Sequence, residues 1–250
     1  MNENLDYIIP TWPAPNQVKA MVTTRNGGIS VGNYNSFNLG DHVGDDPIAV
    51  AANRAKLKFV LQLPTEPIWL RQVHGCNVTN ISQNYIDCTA DAAIATCASQ
   101  VCAVLTADCL PLLVCDQGGT TVAAIHAGWR GLADGVIAAT LNKFKIPPAE
   151  LLVWMGPAIG AEAFEVGAEV REKFLQIDIN NAKAFVPSPR NPLAWMANIY
   201  TLARNSLEIQ GVGWIGGGDF CTFRDTARFF SHRRDGGITG RMASLIWLDQ

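Results

Sequence analysis

Between Val101 and Ile125 the chain has no room for a helix. Three short, β-rich apolar runs, Val101–Thr106, Leu112–Cys115 and Thr121–Ile125, follow one another through tight links. A strict βαβ repeat needs a long crossover between successive strands, so the middle of the chain specifies directly connected strands. Further strands are expected at Val18–Thr24, Ile68–Val73, Asn77–Ile81, Leu151–Met155, Val212–Ile215 and Leu245–Leu248. Helical patterns lie around them. Pro47 after Asp45-Asp46 opens a helix running to about Leu63. Leu132, Val136, Ile137, Leu141 and Phe144 share a helical face, as do Val166, Val170 and Phe174, and Trp195–Leu207 reads as a third. The expectation is an α/β (α+β) protein with a mixed-sheet core and outer helices, organised as a single domain over residues 1–250.

Composition narrows the function. Only 16% of the 250 residues are charged and 48% are hydrophobic, against roughly 25% charged for an average soluble chain. That favours a thick body with much interior. With 19 basic and 22 acidic residues the net charge is −3, and the basic excess of a nucleic-acid binder is missing. No apolar run approaches the roughly 18 residues of a membrane span. Met1–Pro15 lacks the pattern of a signal peptide, so a cytoplasmic location is expected. The seven cysteines, at 76, 88, 97, 102, 109, 115 and 221, form no CxxC pair. Free thiols are expected, most of them buried as small hydrophobes.

Several motifs fail on inspection. No phosphate-binding GxxxxGK[ST], no GxGxxG between strand and helix, and no HExxH is present. Gly28-Ile29-Ser30-Val31-Gly32 matches GxSxG, but the polar stretch after it has no helical period, so it reads as a Gly-rich turn. Arg25–Asp46 is a long polar loop of the kind that is often functional.

Three segments place a potential ligand where an apolar run stops: Arg71-Gln72-Val73-His74-Gly75, Thr106-Ala107-Asp108-Cys109-Leu110-Pro111 and His126-Ala127-Gly128-Trp129-Arg130-Gly131. Rigid strand ends near solvent are where catalytic side chains gather. Together His74, Cys109 and His126 offer two imidazoles and a thiolate, a set suited to Zn²⁺. Three ligands from separate segments leave a fourth position open, as in catalytic rather than structural zinc sites. The same residues allow a metal-free reading, with Cys109 as nucleophile and His126 as its base, oriented by a third group. Asp108 is adjacent, but strand alternation points it to the opposite face.

RQVHG, TADCLPLLVCD, HAGWRG, GPAIG and FFSHRRDG with GRMAS, preceded by SFNLGDHVGDD, resemble the bacterial laccase-domain family, whose members have been named multicopper polyphenol oxidases. Its members are now called purine nucleoside phosphorylases, and one branch the peptidoglycan editing factor. The resemblance spans Arg25 to Trp247. It implies a four-layer α/β/β/α sandwich, similar to that of Cys-His toxin deamidases, and a catalytic zinc on His74, Cys109 and His126. It also implies phosphorolysis of adenosine, inosine and methylthioadenosine, with adenosine deamination. In those reactions phosphate attacks the ribose C1′ as the base leaves, or activated water attacks C6 of adenine. The alternatives are a Cys-His amide hydrolase acting on cell-wall precursors and a copper-dependent polyphenol oxidase side activity with Cu²⁺ in the zinc site. Close members are expected to carry Tyr in place of His232 and Asp in place of Asn198.

Purine nucleosides and phosphate are thus the expected partners, with neither nucleic acid nor membrane, and the chain is expected to act as a monomer or homodimer. Arg130, near the expected helix start, is a candidate for phosphate, with a surface ion pair as the alternative. His42 is a candidate pocket residue, and His232 a remote candidate for a fourth metal ligand. Trp129 could stack on a purine, although seven Trp in one chain are mostly core. Arg233, Arg234 and Arg241 read as a solvated loop. Four His and no HxH pair cannot build a multicopper cluster.

Overall fold

The computed structural model describes residues 5–83 and 87–249. In chain order the elements are β1 (Tyr7–Ile8), β2 (Val18–Thr23), α1 (Pro47–Val60), β3 (Val78–Asn80), β4 (Ala92–Ala95), β5 (Val101–Thr106), β6 (Leu110–Asp116), β7 (Val122–Ala127), α2 (Trp129–Asp134), α3 (Val136–Leu141), β8 (Leu151–Met155), β9 (Glu165–Gly167), α4 (Ala168–Ile177), β10 (Phe185–Pro187), β11 (Ala194–Ala197), α5 (Ile199–Ile209), β12 (Trp214–Gly217) and β13 (Met242–Leu248). Two large sheets carry the fold. One has the order β1-β2-β13-β5, and the other β12-β8-β6-β7-β4-β3. The first is antiparallel throughout. The second is mixed, with parallel pairs at β12–β8 and β3–β4. A small antiparallel sheet, β10-β11-β9, lies outside them.

Side-chain alternation explains the layers. Along β6, Leu110, Leu112 and Val114 pack with α2, α3 and α5, while Leu113 and Cys115 face the other sheet. On β5, Cys102 and Val104 point between the sheets, and Val101, Ala103 and Leu105 pack outward with Leu57 of α1. The result is α1, sheet, sheet, outer helices: the expected mixed α/β sandwich. Strands with both faces covered read as continuous apolar runs, and β5, β6 and β7 are buried at every residue. That is why so few charges are needed.

Four expected elements differ. Ile68–Val73 is not a strand, since only Ile68 bridges to Cys102. The expected helix from Leu132 to Phe144 breaks at Gly135, whose φ of 94° is left-handed, a conformation glycine adopts without strain. Val166 belongs to β9 rather than to the helix with Val170. Trp195–Ala197 lies in β11, because the Asn198 side chain accepts from Thr201 N and starts α5 after it. Thiol burial also departs from expectation. Cys102 and Cys115 are buried, Cys109 and Cys221 are half-buried, and Cys76, Cys88 and Cys97 are exposed.

Candidate metal centre and its cavity

The three ligand segments meet at one end of the space between the two sheets. His126 shares the inter-sheet parity of Val122 and Ala124 and sits one residue before the end of β7. Cys109 directly precedes β6. His74 occupies a turn with φ 59°, a left-handed conformation uncommon outside glycine. One Nδ1, Nε2 or Sγ atom from each residue lies within 4.8 Å of the others. His74 Nε2 stands 3.8 Å from Cys109 Sγ, and the two imidazole rings meet edge to face at 4.8 Å.

Asp91, just before β4, holds the His126 ring and the backbone of the His74 turn. It is fully buried. Its Oδ1 accepts from His126 Nδ1 at 2.8 Å and from His74 N at 2.9 Å. Its Oδ2 accepts from Val73 N at 3.2 Å and Gly75 N at 2.7 Å, and its carbonyl accepts from His126 N at 2.7 Å. One carboxylate therefore shapes the His74 turn and fixes the His126 ring. With Nδ1 engaged, Nε2 of His126 is the atom left for a ligand, a pattern typical of metal-bound histidines. Asp91 is the orienting group, and the sequence carries little that marks it. The available signal was a lone carboxylate at the start of the apolar run Ala92–Ala95.

Asp108 is not on a strand at all. Its φ is 86°, and its carboxylate accepts from Thr222 Oγ1 at 2.6 Å, Ser231 Oγ at 3.0 Å and Arg233 N at 2.7 Å. It ties the C-terminal loop to the Cys109 turn. Glycines leave room for this assembly. A Cβ on Gly128 would lie 3.0 Å from His74 Cδ2 and 3.1 Å from Cys109 Sγ, and one on Gly131 would lie 2.7 Å from Gly75 O.

The electrostatics follow from the contacts. Burial alone would push the Cys109 thiol up, but the His126 charge and hydrogen bonds from His126 and His74 outweigh it and bring its pKa to about 6. Burial likewise opposes charge on His126, yet the Cys109 thiolate and Asp91 raise it to about 9. For Asp91, burial pushes upward, and the His126 hydrogen bond with the Gly75 and Val73 amides holds the carboxyl below its usual value. A thiolate beside two imidazoles is a donor set that suits zinc and copper alike. The residues present fit a three-ligand metal site.

A cavity of about 460 Å³ opens over these atoms. Ile159, Phe164, Trp129 and Ile199 give it apolar walls, and His42, Arg130, His232, Arg233 and Arg241 line it as well. Arg130 is exposed, with its guanidinium 4.5 Å from the Trp129 ring centroid. His42 is exposed, with Nδ1 3.5 Å from Asp41. His232 borders the cavity but is not one of the three clustered ligands. The solvated-loop expectation fails for two arginines. Arg234 pairs with Asp235 and donates to the carbonyls of Thr222 and Phe229, and Arg241 is half-buried in the cavity wall. Ser30 of the GxSxG stretch is buried and donates to Asp45 at 2.7 Å, which makes it part of a turn, as expected.

Residues 19–249 match the family described as multi-copper polyphenol oxidoreductase laccase. Purine nucleoside phosphorylase PA4543 of Pseudomonas aeruginosa is 52% identical over 242 residues, covering 97% of this chain and 98% of that protein. Purine nucleoside phosphorylase YfiH of Escherichia coli K12 is 49% identical over 242 residues, covering 96% and 98%. The crystal structure of Neisseria meningitidis protein NMB0706 superposes with a TM-score of 0.90 at 47% identity, over 98% of this chain and 99% of that one. With the matched segment spanning all three ligand positions, the chain belongs to the multi-copper polyphenol oxidoreductase laccase family.

Proposed function

We propose that the protein is a zinc-dependent purine nucleoside phosphorylase acting on adenosine, inosine and methylthioadenosine, with adenosine deaminase activity. The observation that carries this reading is the His74–Cys109–His126 group on the wall of a cavity with apolar sides, the His126 ring and the His74 backbone held by Asp91. The names of the similar P. aeruginosa and E. coli proteins support the substrate class. His74, Cys109 and His126 would hold the metal, which when bound supplies Lewis acidity and lowers the pKa of water. Among the described residues a single group of this kind is found, which favours one metal over a multicopper cluster. Copper at the same ligands would account for a polyphenol oxidase side activity.

The chain's own residues define the rest. Trp129 and Phe164 offer ring faces to a purine, Arg130 and His42 stand at the cavity mouth for phosphate and ribose, and the apolar walls limit water. In phosphorolysis, phosphate oxygen bonds to ribose C1′ as the bond to the purine nitrogen breaks. In deamination, water attacks C6 and ammonia leaves. Metal analysis of wild type and Cys109→Ala, with inosine and adenosine turnover measured on both, tests the reading. Loss of metal and of both activities together is expected. Full activity of metal-free protein would overturn it.

A second reading is favoured by the chain Asp91–His126–Cys109, which has the order of a Cys-His hydrolase. A thiolate at pH 7 beside an imidazole held by a carboxylate could cleave an amide of a cell-wall precursor. That reading predicts activity indifferent to chelators and a precursor pool altered by deletion.

A further inference from the structure

Three arginines reach the cavity from different elements, and they are not equivalent. Arg130 and Arg233 are exposed. Arg130 lies on Trp129, and Arg233 Nη1 donates to the carbonyls of Ala163 and Glu165. Arg241 sits deeper and is held more firmly. Its N donates to Asn38 Oδ1 at 2.9 Å, its carbonyl accepts from Leu39 N, and its stem packs so close to Gly40 that a Cβ there would lie 2.8 Å from Arg241 Cγ. The next residue, Met242, pairs with Thr106, the last residue of β5. Arg241 thus stands at the strand end from which the chain turns to Cys109.

How the guanidinium is used separates Arg241 from Arg25, Arg54 and Arg234; Arg171 and Arg204 also leave this edge undonated, but neither lines the cavity. Arg25 donates Nε and Nη2 to Asn35 O, Arg54 donates the same edge to Leu39 O, and Arg234 donates it to Asp235 and Phe229 O. Arg241 donates only through Nη1, to the carbonyls of Thr239 and Gly240 at 2.8 and 3.1 Å. Among the described residues no carboxylate pairs with it. Asp108, the acid beside it, is already occupied by Thr222, Ser231 and Arg233. Arg241 Nε and Nη2 therefore stay undonated in the cavity wall, where they are placed to take up an anion. Its Nε–Nη2 edge forms a planar donor pair that matches two oxygens of one oxyanion.

We propose that Arg241 binds inorganic phosphate through its Nε–Nη2 edge, inside the cavity beside the His74–Cys109–His126 group. The identity of the ligand rests on the phosphorylase reading, while the test does not. Arg130 at the rim then guides the anion rather than holding it.

Inorganic phosphate is titrated calorimetrically into the full chain, wild type and Arg241→Met, Arg241→Lys and Arg130→Met, at constant ionic strength. The KM values for phosphate and inosine are measured on the same proteins. Arg241→Met is expected to weaken phosphate binding and raise its KM by about tenfold or more, and Arg241→Lys by about fivefold, since a lysine keeps the charge but not the planar edge. Arg130→Met, which removes a charge at the exposed rim, is expected to weaken phosphate binding by only about threefold, less than either Arg241 variant, and the KM for inosine should stay within about twofold in the Arg241 variants. Should Arg241→Met fail to fold, Arg241→Lys decides. Wild-type phosphate affinity in the Arg241 variants overturns the assignment, as does a wild type that binds no phosphate. Phosphate binding lost with Arg241 in a protein that turns over no nucleoside upholds the assignment and removes the phosphorylase reading. Phosphorolysis with an unchanged KM for phosphate in Arg241→Met does the reverse.

Discussion

Asp91 and Asp108 are both buried carboxylates flanking the His74–Cys109–His126 group, and both gather several hydrogen bonds. What they hold is different. Asp91 binds the backbone of the His74 turn and the ring of His126, so its bonds end on two of the three ligands. Asp108 binds hydroxyls and an amide of the C-terminal loop, and reaches Cys109 only through the adjoining peptide. One region sets the donors themselves. The other sets the loop that walls the cavity, including His232, Arg233 and Arg241. Metal affinity and substrate handling should therefore respond separately to the two acids.

The strongest way to break that contrast is to remove each in turn. Asp91→Ala strands the buried His126 ring and three amides. Losing one partner of such a buried network costs about 3–5 kcal/mol, which for a chain of this size lowers Tm by roughly 2–4 °C per kcal/mol. Metal affinity should fall by about 100-fold or more, at the upper end of the effect of a ligand-supporting group, because the His126 ring and the backbone turn that carries His74 are released at once. Elemental analysis after dialysis and a melting curve check both numbers. Asp108→Ala should cost about 2–3 kcal/mol for its lost hydrogen bonds. Its metal affinity should fall less than about tenfold, with KM for substrate rising more than metal is lost. Equal metal loss in the two variants would sink the contrast.

The same contrast marks how far the sequence could be read. His74, Cys109 and His126 stood out because each ends an apolar run, and the structure brings them together. The central strands were legible because burial on both faces makes continuous hydrophobic runs. Asp91 was not legible, since a carboxylate that receives backbone amides from a turn 16 to 18 residues earlier leaves no local pattern. The inward packing of Arg241 and Arg234 is hidden from the sequence for a related reason. In a Gly-rich loop, composition argues for solvent, and only tertiary contact shows that Asp108 and Asp235 fold the loop inward. Helix α5 was drawn too long because Trp195 and Met196 fit a helical face as well as a strand; Asn198 as a cap decides between them.

A methyl group sharpens the comparison on the Asp91 side. Gly128 has ordinary extended backbone angles, φ −61° and ψ 155°, so alanine there strains nothing by itself. Its Cβ would press on His74 and Cys109 at 3.0 and 3.1 Å. Gly128→Ala should lower stability by no more than about 1–2 kcal/mol, in the range of mild overpacking. Metal affinity should nonetheless fall by about tenfold, because the donors move apart. A variant that melts early but keeps its metal would show that the glycine serves packing alone.

The smallest effect lies on the Asp108 side, in the loop that Asp108 anchors. Burial pushes the Asp235 carboxyl up, but hydrogen bonds from Arg234, Thr239 and the Ser231 amide hold it below its usual value. The folded protein thus binds this proton less readily than the unfolded chain, whose aspartates titrate near about 3.9. The stability Asp235 contributes is fully present above that pH and is lost as pH falls through the lower folded value. Its partial exposure keeps the contribution to about 1 kcal/mol. Urea midpoints of wild type and Asp235→Asn should differ at pH 7 and converge as pH falls toward 3. Metal content at pH 7 should be the same in both, because Asp235 bonds to the loop and to none of the three ligands. A gap in midpoints that stays constant with pH would mean that the Arg234–Asp235 pair does not hold the loop electrostatically.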